Sequence, residues 1–350
     1  MSVGTRLMKG IEASETSHIG VLVAITLLAA AGAFFVAPEL VGYPLVAFVL
    51  VVLYGWRTDE AATARTLALS ATVVTVLVLS LIMVYLVAKS ISAFGLMGFD
   101  ILTRTDGPFW NPSAPVYSLV PMIWGTFVTT LIAAAVAAPL GIAGAIFVSE
   151  MAPDWARDLL KPAIEMLAGI PSIVYGFIGF VVLSPFMMDE FSLPTLGSLF
   201  IVGIVIGAMA LPTVVSVAED AIASVPGSMK DGSLALGATD WQTTTDVTVP
   251  AAFSGVSAAV LLGVGRAVGE TMAATVILGN VTELPDPLYD VFGNTITLTS
   301  LIASQYGIAS GSQLSALFAA GVVLFVTVLI LSIGSQYIER RMQRKLGGGK

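Results

Sequence analysis

Long apolar runs separated by short polar stretches recur along the whole chain. Several runs exceed about 18 residues, which lets a helix cross a hydrocarbon layer about 30 Å thick. Polar and apolar positions do not alternate within them, as they would in the strands of a membrane barrel. The pattern predicts an all-α polytopic membrane protein with about eight transmembrane helices, at residues 19–37, 41–55, 66–92, 117–149, 162–187, 197–222, 250–279 and 312–337.

The composition agrees with this class and narrows the chemistry. The 350 residues are 57% hydrophobic and 11% charged, whereas soluble domains carry about 25% charged residues. The chain has no cysteine and a single histidine, His18. This excludes disulfides and thiol catalysis and argues against a Ser-His triad or a zinc protease. We therefore expect no metal, no cofactor and no enzymatic activity in the chain itself.

The distribution and the sum of the charges indicate how the chain is oriented in the membrane and what salt concentration its host lives at. The net charge of −8 argues against a nucleic-acid ligand and fits a host that lives at high salt. If the N-terminus is cytoplasmic, the 15 Lys and Arg residues fall on inner segments except Lys89, Arg104 and the mid-span Arg266. Because cytoplasmic loops are enriched in cations, both termini are predicted to be cytoplasmic, in a multi-pass protein of the cell membrane.

The polar segment after the sixth span carries signals for two short helices. Ser228 predicts the N-terminal cap of the first helix, and Gly237 predicts the glycine that ends it, where a left-handed conformation costs little. Thr239 and Gln242 have the spacing of a capping box that opens the second helix. Pro250 suits the first turn of the seventh span, because its missing N–H would have no partner there. These signals predict two short helices that meet at a glycine.

This segment resembles the cytoplasmic coupling motif of binding-protein-dependent ABC importer permeases. That motif has an acidic residue and two alanines, then a glycine, then an apolar-x-apolar-Pro end. The corresponding residues here are Asp231, Gly232, Ser233, Gly237, Val247, Val249 and Pro250. Asp replaces the usual Glu, and Gly and Ser replace the two alanines. The resemblance implies that this segment docks on a separate ATP-hydrolysing subunit, since the chain has no Gly-x-x-x-x-Gly-Lys-Ser/Thr loop of its own.

Two further stretches are similar to the phosphate-specific branch of these permeases. They are "LAGIPSIVYGFIGF" at 167–180 and "GRAVGETMA" at 265–273, and the second is typical of the C-type (PstC-type) subunit. The resemblance covers about residues 66–345. It implies the type I ABC importer permease fold there and a translocation path shared with a second, PstA-type permease. It also implies two ATP-binding subunits and an external phosphate-binding protein as partners.

The predicted organisation has four parts. Residues 1–65 form an extra transmembrane hairpin outside the resemblance, for which stabilisation or partner contact is favoured over transport chemistry. Residues 66–116 give one transmembrane helix and an outer loop. Residues 117–338 form the core permease domain, which contains the coupling loop 224–250. Residues 339–350 form a cytoplasmic tail.

An ionisable pair, Arg266 and Glu270, interrupts the seventh apolar run. If the helix starts near Pro250, Arg266 lies about 24 Å along it at about 1.5 Å per residue, close to the membrane centre. Residues four apart share a helical face. A charge there costs from a few to about 15 kcal/mol, and a guanidinium matches phosphate oxygens. We hypothesise that Arg266, Glu270 and Thr271 line the substrate path, with Glu270 occupying Arg266 between transport events; a purely structural pair is the alternative.

Two Gly-x-x-x-Gly pairs are predicted to let helices pack closely. They are Gly203 with Gly207 in the sixth span and Gly265 with Gly269 in the seventh.

Other functions remain open at this point. A permease for another oxyanion, such as sulfate or molybdate, would carry the same coupling segment. An ion-driven secondary transporter would have inverted repeats and intramembrane acids, but Glu270 is the one clear mid-span acid and no repeat is evident. A membrane enzyme lacks a nucleophile–base set.

Overall fold

The structure is a computed structural model that describes residues 18–191, 193 and 195–346. Arg6, Lys9 and Lys350, on which the predicted orientation partly rests, lie outside these residues. The chain forms two compact units that divide between Tyr85 and Leu86.

The first unit is built on a helical hairpin. Helix α1 spans His18–Val36, a short 3-10 turn spans Pro38–Leu40, α2 spans Gly42–Thr58, and α3, Glu60–Met97, begins in this unit. A Cβ atom on Gly55 would lie 2.5 Å from the Thr63 hydroxyl oxygen, so glycine is needed where α2 meets the start of α3. Asp59 caps α3, because its Oδ1 accepts from Ala62 N at 2.9 Å.

The second unit contains the remaining helices and one small antiparallel sheet. The elements are α4 (Asp100–Thr103), β1 (Trp110–Asn111), β2 (Val116–Tyr117), α5 (Val120–Ile146), α6 (Asp154–Ala168), α7 (Ser172–Ile178), α8 (Ser184–Phe191), α9 (Leu199–Ala223), α10 (Gly227–Ala235), α11 (Asp240–Thr243), α12 (Val249–Ala251), α13 (Phe253–Gly269), α14 (Met272–Leu278), α15 (Leu298–Gln305) and α16 (Gly311–Leu346). Three wider, π-helical turns complete the helices. One extends α5 over Phe147–Met151, one joins α7 to α8 over Gly179–Leu183, and one joins α11 to α12 over Thr244–Thr248.

Helix α9 lies at the centre of the second unit and packs on α5 and α13. A Cβ on Gly203 would lie 2.5 Å from Ile132 Cβ, and one on Gly207 would lie 2.9 Å from Val136 Cβ. The packing role predicted for this glycine pair is therefore confirmed. No heavy atom of the described residues, neighbouring residues of the helix aside, lies within 4 Å of a Cβ placed on Gly265 or Gly269. That pair has no packing partner within the described part of the chain, so its close packing stays a prediction.

Main-chain hydrogen bonds join the loops at one end of the second unit, which we call the loop end. Leu119 N donates to Ile101 O at 2.7 Å, and Ile296 N donates to Val281 O at 2.7 Å. Phe200 N, at the start of α9, donates to Val291 O at 2.8 Å. The loops before α5 and after α14 are thus fixed by backbone bonds. The opposite end, which carries α10, is called the α10 end.

The number of candidate spans agrees with the prediction. Within the described ranges, seven helices are long and apolar enough to cross a membrane, or eight if the bent pair Asp240–Ala251 and Phe253–Gly269 counts as one. Two predicted spans differ in detail. The span 162–187 is divided, because α6 ends at Ala168 and α7 begins only after Pro171.

The span 250–279 is divided twice. The helix that starts at Asp240 continues through the Thr-rich turn to Ala251, and the chain then bends by 72° into α13. Pro250 therefore lies in the last turn of the helix before the bend, and its prediction as the first turn of the span is wrong. The second division, after Gly269, changes the environment of the charged pair.

Candidate functional site

The helix that carries the charged pair breaks between the two charges. Helix α13 ends at Gly269, Glu270 has an extended backbone with φ −67° and ψ 127°, and α14 starts at Met272. Glu270 Oε1 accepts from Ala273 N at 3.1 Å and so satisfies one free amide of α14. The predicted placement of Arg266 and Glu270 on one helical face is wrong, because the helix does not continue between them.

A side chain from a distant element stabilises the break. Thr299, in the first turn of α15, donates from Oγ1 to the Glu270 carbonyl at 2.7 Å. Thr271 donates from Oγ1 to Gly269 O at 3.1 Å. Interruptions of a transmembrane helix are tolerated where such groups replace the lost backbone bonds. Two hydroxyl groups therefore stabilise the break, together with the Glu270 carboxylate that accepts from Ala273 N.

Arg266 lies in the last turn of α13 and is half-buried. Its Nη1 donates to Thr213 Oγ1, on α9, at 3.1 Å. Among the described residues, no salt bridge joins Arg266 to Glu270 or to any other carboxylate. The guanidinium thus has a hydroxyl partner and keeps its positive charge uncompensated, with donors left to bind an anion.

The coupling segment folds largely as predicted. Gly237 has φ +89°, its N donates to Leu234 O at 2.9 Å, and Ala238 N donates to Ser233 O at 3.3 Å. These two bonds form a Schellman motif, which ends α10. Thr239 and Gln242 form the predicted capping box, with bonds of 3.3 Å and 2.9 Å.

One detail of that segment was predicted wrongly. Ser228 does not cap α10, because Pro226 occupies the cap position with no side-chain bond and the helix begins at Gly227. Proline fixes a backbone angle suited to a helix start, and the helix begins two residues earlier than a cap at Ser228 implies.

The coupling segment presents apolar side chains outward. Leu236 is 91% exposed and Trp241 is 60% exposed. Asp231 and Gly232 are also exposed, whereas Ser233 is half-buried and accepts from Thr243 Oγ1 at 3.0 Å. The remaining residues of the predicted coupling motif, Val247, Val249 and Pro250, are half-buried on the helix that follows. Outward apolar side chains on short helices are a feature of docking surfaces.

Three acidic residues hold two lysines at the α10 end. Lys230 Nζ lies 2.7 Å from Glu150 Oε1, and Lys161 Nζ lies 2.7 Å from Glu219 Oε2 and 3.0 Å from Asp220 Oδ1. Hydrogen bonds to Glu219 and Asp220 raise the pKa of Lys161 above its usual value. These pairs join α6 to α9, and α10 to the turn that extends α5.

Residues 137–344 match the sequence profile of a family described as "Binding-protein-dependent transport system inner membrane component". The chain belongs to this family. The match covers more than half of the 350 residues and includes both the coupling segment and the helix break. The chain is thus the permease component of an ABC importer, as its sequence motifs predicted.

Relatives of known name cover most of the permease. The probable ABC transporter permease protein YqgH of Bacillus subtilis is 42% identical over 264 residues, which cover 74% of this chain and 84% of that protein. The phosphate transport system permease protein PstC of Pasteurella multocida is 35% identical over 291 residues, 77% of this chain and 89% of that protein. A probable PstC protein of Methanocaldococcus jannaschii is 33% identical over 299 residues, 79% and 93% of the two chains.

Solved importers share the fold of the permease. A chain of a bacterial alginate ABC transporter, in complex with an alginate-bound periplasmic protein, aligns with a TM-score of 0.56 and 15% identity, covering 83% of this chain and 98% of that one. A chain of the MetNI methionine ABC transporter aligns with a TM-score of 0.52 and 18% identity, covering 65% and 96%. These likenesses confirm the predicted importer permease fold.

The structure also identifies two residues that the sequence did not single out. Thr213 contacts Arg266, and Thr299 contacts the Glu270 carbonyl. Each is a hydroxyl residue within an apolar run, a pattern that is frequent in transmembrane helices and does not mark a site. Their significance depends on contacts between elements far apart in the chain.

Proposed function

We propose that this permease is the C-type translocation subunit of an ATP-driven phosphate importer. The observation that carries the proposal is the guanidinium of Arg266, which lies beside a helix break and is bonded to the hydroxyl of Thr213 rather than to a carboxylate. The names of the PstC relatives support phosphate as the substrate.

An uncompensated cation in an apolar protein favours an anionic substrate. Keeping Arg266 charged costs free energy that a neutral side chain would avoid. A passing anion offsets that cost, and the planar guanidinium matches the oxygens of phosphate. Thr271 lies beside the break, and its hydroxyl must release its bond to Gly269 O before it can donate to an anion. The bond to Glu270 expected from the sequence is absent, so in the proposed mechanism Glu270 shapes the break while Arg266 contacts the anion.

Energy for transport is proposed to come from ATPase partners that bind the coupling segment. Leu236 and Trp241 offer them an apolar surface, and Asp231 offers a charge. The helix Asp240–Ala251 leads through the 72° bend directly into α13, which carries Arg266. A tilt of the coupling segment therefore reorients the helix that bears the anion contact.

The remaining partners are a second, PstA-type permease, two ATP-binding subunits and an external phosphate-binding protein. The open face of Gly265 and Gly269 suits close packing by a helix of the second permease. Residues 1–65 are proposed as an additional hairpin that stabilises the complex or contacts a partner.

The α10 end is proposed to face the cytoplasm, with both termini on that side, in the cell membrane of a salt-adapted host. Because the chain has no cysteine, single cysteines report orientation directly. An impermeant thiol reagent added to intact cells should label Glu283→Cys at the loop end and leave Leu236→Cys unlabelled. Labelling of Leu236→Cys alone would reverse the proposed topology.

Uptake by the reconstituted importer tests the proposed function. Proteoliposomes that contain both permeases, the ATPase subunits and the binding protein should accumulate radiolabelled phosphate only with ATP. Arg266→Gln should abolish uptake while the amount of assembled complex stays unchanged. Excess sulfate or molybdate should not compete. Normal uptake by Arg266→Gln would refute the anion contact, and uptake driven by an ion gradient without the ATPase would refute the whole assignment.

A further inference from the structure

We propose that the ion pair between Lys230 and Glu150 carries the movement of α10 to α5, so that both are positioning residues for coupling ATP hydrolysis to transport. This inference rests on the proposed function. We call the pair the α10–α5 link, since Lys230 lies on α10 and Glu150 lies in the π-helical turn that extends α5.

The link is short and partly shielded from water. Lys230 Nζ lies 2.7 Å from Glu150 Oε1, and the two side chains are 25% and 12% exposed. Exposed ion pairs are screened and contribute little. Breaking a shielded pair on one side leaves the other charge without compensation, which is costly. The contact therefore resists separation when α10 is displaced.

Helix α10 has few other attachments. None of its residues is buried. It packs on α11 and the following π-helical turn, and Thr243 Oγ1 donates to Ser233 Oγ at 3.0 Å. Among the bonds formed by the described side chains of α10, the link to Glu150 is the one that reaches a transmembrane helix. A force applied to α10 thus enters the membrane through this contact as well as through the helix that follows it.

Glu150 is held firmly at the other side. Arg157, on α6, donates from Nε to Val148 O at 2.9 Å and from Nη2 to Ser149 O at 2.7 Å. The Ser149 hydroxyl donates to Glu150 Oε1 at 3.1 Å. Arg157 thereby caps carbonyls at the end of α5, in a π-helical turn of the kind found frequently at functional sites. Displacement of Glu150 therefore displaces the end of α5 rather than only its own side chain.

The α10 end also contains a matched pair for comparison. Lys161 and Glu219 approach to the same 2.7 Å, but they join α6 to α9 and do not involve α10. Replacing Lys161 removes this bond of equal length, together with the 3.0 Å contact with Asp220, without touching the proposed route. Comparison with this control separates an effect on coupling from a general effect on stability.

The test measures the oxyanion transported per hydrolysed ATP in the reconstituted importer, normalised to the amount of assembled complex. Lys230→Gln and Glu150→Gln should each lower this ratio about tenfold, the scale of coupling between contacting residues. The double exchange Lys230→Glu with Glu150→Lys should restore it to within about threefold. Lys161→Gln should leave the ratio unchanged even if it lowers thermal stability.

Three outcomes would overturn the inference: an unchanged ratio in the single variants, an equal loss in Lys161→Gln, or failure of every Lys230 and Glu150 variant to assemble. The last would show a role in assembly instead of coupling. The ratio is measured on whichever oxyanion the unaltered importer transports. The assignment of phosphate can therefore fail without affecting this test.

Discussion

Replacing Gly237 by alanine isolates the contribution of one backbone angle to the coupling segment. Gly237 has φ +89°, and a Cβ added there meets no heavy atom within 4 Å. The substitution therefore introduces no clash, and its cost is the strain of a left-handed conformation, about 1–2 kcal/mol. Since 1.4 kcal/mol is a factor of ten in an equilibrium constant, the turn at Gly237 between α10 and α11 should open about 5 to 30 times more often.

Amide hydrogen exchange reads this opening directly. The amides of Gly237 and Ala238 are bonded to Leu234 O and Ser233 O, so both should exchange faster by that factor in Gly237→Ala. Gly227→Ala is the matched control, because it also adds a methyl group in open space but has no positive φ. We expect phosphate transported per ATP to fall in Gly237→Ala and to remain normal in Gly227→Ala. Unaltered exchange in Gly237→Ala would refute the argument from backbone strain.

Four further outcomes follow from the same geometry. Gly203→Ala should lower the melting temperature of the purified chain by overpacking, at a cost of about 1–3 kcal/mol, whereas Gly265→Ala should leave it unchanged; equal effects would contradict the packing. Thr299→Val should destabilise the chain by about 1–3 kcal/mol in denaturant unfolding, since it leaves the partly buried Glu270 carbonyl without its hydroxyl partner; no loss would show that water replaces the bond. Because the pKa of Lys161 is raised in the folded chain, its ion pairs should stabilise the fold fully below pH 10.5, and this stabilisation should be lost as pH rises through the folded-state pKa. The melting temperatures of the unaltered chain and of Lys161→Gln should therefore differ below pH 10.5 and converge above the folded-state pKa. Finally, molar KCl should raise the melting temperature if the net charge of −8 reflects a saline host; a decrease would argue against such a host.

Features that depend on neighbouring residues could be predicted from the sequence. The positive φ of Gly237 and the capping box of Thr239 and Gln242 are local, and both are confirmed. The family and the approximate number of spans were also predictable, because the motifs and the apolar runs are continuous in sequence.

Features that depend on distant contacts could not be predicted. The break after Gly269 is stabilised by Thr299, 29 residues further along the chain, and periodicity alone favours an unbroken helix. The two Gly-x-x-x-Gly pairs have the same spacing, yet Gly203 contacts α5 while Gly265 faces open space. The spacing of the glycines shows that a helix has a surface of small residues, and only the tertiary structure shows which element packs against that surface. The link between Glu150 and Lys230 joins residues 80 positions apart.

The main-chain bonds at the loop end bear on how this protein can change over evolutionary time. The bonds from Leu119 to Ile101, from Ile296 to Val281 and from Phe200 to Val291 use amide and carbonyl groups, which every residue except proline supplies in full. The side chains in these loops can therefore diverge in sequence while the hydrogen-bonded backbone keeps its conformation. Substitutions can therefore alter the surface of the loop end over evolutionary time without redesigning the helices beneath it.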